Sequence, residues 1–180
     1  PAWKASAAEA SAFTRKLEHE GGPPTITKDF SRLGETKAQA KRTADAEELG
    51  ALVDDAAGLR APTVIRTGPR SIEESFLEGQ SGEEILPWPH RVVPDELLDS
   101  DDGRFMGLAD LLVGDSDRHA GNWIRLPDGR LAPIDRGSAF ESPRFSGATS
   151  PFAHRLVVLP DDQPAGSLVF DIQWAKRNDF

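Results

Sequence analysis

Polar and apolar positions alternate early in the chain and then stretch into a helical period. Phe13–Glu20 (FTRKLEHE) reads as a strand. In Thr25–Phe30 (TITKDF) β-branched residues alternate around Lys28, so the two segments are predicted to form a hairpin across Gly21-Gly22-Pro23-Pro24. From Gly34 to Gly58 alanines recur, and Leu49, Leu52, Val53 and Ala56 fall at helical spacing. That predicts a helix buried along this face, with Gly58 as its stop. Ala61–Arg66 and Ser71–Leu77 are short strands around the turn Thr67-Gly68-Pro69-Arg70.

Gly79–Glu84 is a polar, glycine-containing linker. It follows a strand-rich part and precedes a mainly helical one, so a small lobe is expected over 1–78 and a larger one over 79–180. Asp95–Asp102 reads as an acidic, solvated loop. Phe105–Val113 (FMGLADLLV) is a strongly apolar helix at the centre of the second lobe. A polar loop (Gly114–Asn122), a strand (Trp123–Leu126), the turn Pro127-Asp128-Gly129 and a returning strand (Leu131–Ile134) follow. The proline-rich tail, Glu141–Phe180, offers one closing strand at Ser167–Ile172.

Composition narrows the function classes. A chain of 180 residues with 38% hydrophobic and 28% charged residues is globular rather than disordered. Acids outnumber bases 30 to 21, a net charge of −9. That argues against nucleic acid as a partner, which needs a basic footprint, and against plain electrostatic docking to an anionic membrane. Without cysteine there is no thiol chemistry, disulfide or cysteine–zinc site. No apolar run is long enough to span a bilayer, and no signal-peptide pattern is present. Residue 1 is proline, so the chain is expected to be processed or part of a longer protein.

The chemistry concentrates in Leu108–Phe140. An apolar helix runs into a loop bearing Asp117 and Asn122, and a tight hairpin then returns Asp135 beside Asn122. Phosphoryl transfer needs such a set: magnesium takes oxygen ligands, and the attacking hydroxyl needs an acceptor for its proton. Asp117 would be that acceptor, with Asn122 and Asp135 on the metal. A metal-dependent phosphoesterase using Asp115, Asp117 and His119 is the competing reading. Gly137 suits a turn of positive φ. Trp88, Trp123 and Trp174 are expected in the core or an interface.

Four residues separate Asp117 from Asn122, as in a kinase catalytic loop, and Asp135-Arg136-Gly137 stands where a kinase carries its metal aspartate. DRHAGN followed by PIDRGSAF resembles the phosphatidylinositol 3-/4-kinase-like branch of the kinase superfamily, type II phosphatidylinositol 4-kinases and their bacterial relatives above all. Trp123 and Ser150-Pro151-Phe152 echo the same branch. The resemblance implies an α+β, two-lobed minimal kinase-like fold and ATP- and magnesium-dependent transfer of the γ-phosphoryl group to a hydroxyl. A lipid headgroup is the favoured acceptor, a protein serine or threonine the next. A nucleotide-binding pseudokinase is the non-enzymatic alternative.

The resemblance also implies residues upstream. Lys28 would contact the ATP phosphates and pair with a helix glutamate, Glu48, with Glu47 the alternative. Phe76, Leu77 and Glu78, running into Gly79, would form the hinge that reads adenine. No glycine-rich loop precedes Lys28. Its place falls near Glu9–Ala12, where small residues would let backbone amides approach phosphate. The expected setting is cytoplasmic, in a bacterium or in a cell into which the protein is delivered.

Overall fold

The structure, a computed structural model, describes residues 13–32, 36–87, 92–115, 117–140 and 150–156. Its first sheet is antiparallel, in the order β1-β2-β4-β3. β1 (Phe13–Leu17) and β2 (Thr25–Asp29) form the expected hairpin, and β3 (Val64–Gly68) pairs with β4 (Ser71–Ser75). On β2 the buried positions are Ile26 and Lys28, on β4 Ile72 and Glu74. The two-residue period puts all four on one face, and the register sets Lys28 opposite Ile72 and Ile26 opposite Glu74. Lysine and glutamate therefore meet diagonally in an otherwise apolar layer.

Between the two strand pairs runs α1 (Lys37–Ala56). Thr36 and Gln39 close a reciprocal capping box at its start. Gly58, at φ 77°, ends it: the Gly58 and Leu59 amides return to the Asp55 and Asp54 carbonyls. The buried face departs from expectation. Leu49 and Leu52 are 51% and 62% exposed, and the buried residues are Ala40, Ala44, Ala46, Glu47, Gly50 and Asp54. Small side chains let the helix lie close to its neighbours, and the two acids are buried because cations wait opposite them.

Gly79–Glu84 is not a bare linker. It forms β5 (Gln80–Ser81) and a short α2 (Gly82–Ile85) capped by Ser81 and Glu84. β5 joins β6 (Trp123–Arg125) and β7 (Leu131–Pro133) in a second antiparallel sheet. The acidic run 95–102 is likewise not a solvated loop: it forms α3 (Asp95–Leu98) and opens α4 (Asp101–Val113). Ser100 caps α4, and Asp101 and Asp102 complement the positive end of its dipole. Asp102 also accepts from the Leu131 amide at 3.0 Å and from the Arg130 guanidinium, which fastens the helix start to the β6–β7 hairpin. The hairpin turns at Gly129, φ 87°, as expected from Pro127-Asp128-Gly129.

The proline-rich tail supplies α5 (Pro151–Leu156), which the pattern did not predict. It packs on α4 at close range: a Cβ on Gly107 would stand 2.5 Å from the Phe152 carbonyl oxygen. Phe152 meets Trp123 edge-to-face at 5.7 Å, inside a core shared with Met106, Ala109, Leu131 and Leu59. Trp123 is thus a core residue, as expected. The expected strand 167–172, Trp88, Trp174 and residues 9–12 lie outside the described residues. Among the described residues no helix is long and apolar enough to cross a membrane.

Candidate functional site

Lys28 anchors the site. Its ammonium lies 2.7 Å from Glu47 Oε1, 3.4 Å from Glu74 Oε1 and 4.0 Å from Asp135 Oδ2. Burial alone would lower the lysine pKa, but Asp135, Glu47 and Glu74 outweigh it and hold the amine well above its ordinary value. Burial pushes the Glu47 carboxyl up to about 8, against the pull of Lys28 and with help from Asp135 and Glu74. Asp135 is held below the usual carboxylate range, chiefly by Lys28. The result is a charged lysine beside an ionised Asp135, with the Glu47 and Glu74 carboxyls both shifted upward by burial.

Glu48, the expected partner of Lys28, is corrected. Its Oε2 accepts from Arg66 Nε at 3.1 Å and Nη2 at 2.9 Å. One residue is about 100° of helix rotation, so only one of two adjacent glutamates can face the lysine, and Glu47 does. Glu74 was not anticipated at all. The signal was present: in SIEES the alternation that buries Ile72 also buries Glu74.

The 114–122 loop and the hairpin bring the other residues to the same end of the molecule. The Ile134 amide donates to the Asn122 carbonyl at 3.0 Å, so the backbone places Asp135 just past Asn122. Asn122 Nδ2 donates to the Asp117 carbonyl at 2.7 Å, and among the described residues no donor meets its Oδ1. Asp117 remains more than half exposed at its side chain. Partial burial, with Asp115 and Asp135 nearby, raises its carboxyl pKa against the pull of His119. His119 serves the backbone: Nδ1 accepts from the Gly121 amide at 2.9 Å.

Beneath the loop lies a buried ionic network. Arg118 bonds Asp110 and Asp115 and also reaches the Asn122 and Ile134 carbonyls, clipping together the two positions from which Asn122 and Asp135 project. Asp115 is thereby closed off, shared by Arg118 and Arg136, while its Oδ1 accepts the Asp117 amide. That removes the acid on which the phosphoesterase reading depends. Gly137 does not take the positive φ expected of it; Asp135 does, at 59°. Aspartate tolerates this conformation better than most residues, and the Gly137 amide steadies it at 3.3 Å from Oδ1.

Phe76 and Leu77 leave β4 toward the second sheet. The Phe76 amide donates to Pro24, and the Lys16 ammonium lies 4.4 Å over its ring. Leu77 packs on Ile124, Leu126 and Ala132 together with Ile134. Glu78 and Gly79 are exposed along an open groove of about 400 Å³ that runs to Arg125 and Gly129. These side chains form an apolar shelf at the Phe76–Gly79 segment.

Oxygen donors from Asn122 and Asp135 suit magnesium, which commonly takes only one or two protein ligands and leaves its remaining positions to phosphate and water. Among the described residues no group of three or more His, Cys, Asp or Glu could hold a metal ion.

No family model and no curated protein sequence matches the chain. Solved structures do. Rio2 kinase from Chaetomium thermophilum, in its ADP/Mg2+-phosphoaspartate complex, is similar with a TM-score of 0.53 and 14% identity, over 93% of this chain and 63% of that one. The fold is protein-kinase-like. Rv3197 from Mycobacterium tuberculosis, in complex with erythromycin, is similar with a TM-score of 0.51 and 16% identity, over 93% of this chain and 58% of that one. This kinase-like chain thus spans about six-tenths of each neighbour. In its minimal two-lobed form the β1–β4 sheet with α1 faces the helical part that carries the β6–β7 hairpin.

Proposed function

We propose that the protein is an ATP- and magnesium-dependent phosphotransferase. The observation that carries this reading is the meeting of Lys28 with Glu47 and Asp135, from the first sheet, α1 and the second hairpin, at the end of the molecule where Asn122 and Asp117 also lie. Lys28 binds the ATP phosphates and Glu47 aligns it. The adenine lies on the Leu77–Ile124–Ile134 shelf against the Phe76–Glu78 hinge. The lobe boundary at 78/79 belongs to the same reading. Asn122 and Asp135 would hold magnesium, which would supply neutralisation of the phosphate charge. The acceptor hydroxyl passes its proton to the Asp117 carboxylate. Its oxygen then bonds the γ-phosphorus while the bond to the β-γ bridging oxygen breaks, and ADP departs. A general base in this position contributes about 10²–10⁴-fold.

The resemblance in DRHAGN and PIDRGSAF supports a phosphoinositide headgroup as acceptor, with a protein serine or threonine next. The Rv3197–erythromycin complex adds a small molecule to the candidates. The test is γ-labelled ATP and magnesium offered to total lipid, total protein and a small-alcohol panel, with Asp135→Ala as control. Label in one acceptor fraction, absent from the variant, is the expected result. ATP that binds but is never turned over with any acceptor would make the protein a nucleotide-binding pseudokinase and overturn the enzyme reading.

A further inference from the structure

Arg136 directly follows Asp135 and is 2% exposed. Its Nε and Nη2 clamp both carboxylate oxygens of Asp54 on α1, the Nε bond at 2.9 Å. Its Nη1 reaches Asp110 on α4 and, at 2.9 Å, Asp115 in the loop. Its backbone amide donates to Glu47 Oε2 at 2.8 Å, so the acid that holds Lys28 is held in turn by this residue. Gly50 makes the approach possible: a Cβ there would stand 2.6 Å from Arg136 Cβ and Cγ. Glu47, Gly50 and Asp54 thus form one stripe of α1, spaced three and four residues apart, and all three face Arg136.

Stability alone is a poor reason for this arrangement. Asp54 is 1% exposed and sits in the last turn of α1, where the helix dipole disfavours a carboxylate. Buried ion pairs are often matched or bettered by apolar residues of similar volume. What the charged network adds is direction: a planar fork that spans carboxylates from three elements fixes their relative placement.

We propose that Arg136 is a positioning residue for nucleotide phosphate: it fastens α1 to the 114–122 loop and so holds Glu47 where Lys28 can meet the phosphates. This rests on the phosphotransferase reading. Arg136→Lys keeps the charge but cannot bridge three carboxylates; Asp54→Asn keeps the shape and removes one of them. For each variant the affinities for Mg-ATP and for adenosine are measured, with amide exchange along α1 and α4. Mg-ATP affinity is expected to fall by roughly tenfold to a hundredfold. Adenosine, which has no phosphate to misplace, keeps its affinity, and α1 amides exchange faster; in Asp54→Asn, which leaves Asp110 its arginines, those of α4 do not. Unchanged Mg-ATP affinity, or equal loss of both ligands, overturns the proposal. Should Arg136→Lys fail to fold, Asp54→Asn carries the same comparison. If wild type binds no Mg-ATP, the phosphotransferase reading is what fails; the clamp is then judged on exchange alone, and unaltered α1 exchange in Asp54→Asn refutes it.

Discussion

The two long helices are buried by different means. α4 packs mainly by close approach and apolar contact, with Asp110 its one acid in the arginine network: Met106, Ala109 and Val113 are buried, Gly107 admits the α5 backbone, and the helix borders the Trp123–Phe152 core. α1 buries alanines, a glycine and two acids, and its acids are satisfied one by one by Lys28 and Arg136. Apolar packing is non-directional and supports the fold. Hydrogen-bonded ion pairs are directional and fix where a particular atom stands. Changes at the apolar and glycine positions of α4 should therefore act on stability first, and changes on the α1 face on ligand handling first.

The largest effect is expected outside both helices, where chemistry is isolated from packing. Asp117→Asn should lower phosphoryl-transfer turnover by about 10²–10⁴-fold while Mg-ATP affinity and melting temperature stay near wild type; turnover kinetics beside a thermal melt check this. Gly107→Val tests the α4 side. It forces side-chain atoms into the Phe152 backbone, and overpacking of this kind costs about 1–3 kcal/mol. A lower melting temperature with unaltered Mg-ATP affinity well below the melt is the expected pair of results.

A subtler test separates the adjacent glutamates. Glu47 is raised to about 8 from an ordinary 4.5, so between those values the folded chain holds a proton that the unfolded chain has lost. The stability linked to that proton is full below about pH 4.5 and lost as the pH rises through about 8. Glutamine mimics the protonated acid. Wild type and Glu47→Gln should therefore melt together at low pH, with wild type falling behind toward pH 8; a constant difference would contradict the burial argument. Glu48→Gln removes only a partly exposed pair with Arg66 and should cost about 0–1 kcal/mol. The smallest effect belongs to Leu52→Gln on the exposed face of α1, within about 0.5 kcal/mol in a denaturant titration.

These contrasts also explain what was legible in the sequence. β2 and the β6–β7 hairpin carry period and turn signals that agree with their pairing, and the apolar run Phe105–Val113 marks the body of α4 although Phe105, Leu108 and Leu112 stay exposed, so their positions followed from pattern alone. So did the grouping of Asp117, Asn122 and Asp135, because a short hairpin fixes which residues return to one end. The α1 face was misread because pattern reading assumes that leucine marks the core, and here the partners across the interface are cations. Lys28 and Arg136 are distant in sequence, so nothing local announces that Glu47 and Asp54 face inward. The leucines that follow Glu48 suggest an inward face for it, yet they are exposed. The acidic run 95–102 misled in the same way: its carboxylates complement the start of α4 and bind Arg130 and Arg155.

The central claim is that Lys28, Asn122 and Asp135 together bind a magnesium nucleotide. Calorimetric titration of ATP, with magnesium and with a chelator, onto wild type and Asp135→Asn tests it most directly. The account expects saturable binding to wild type that weakens sharply without magnesium, and weak, magnesium-independent binding to Asp135→Asn. Absence of binding to wild type, or identical magnesium dependence in the variant, would contradict it.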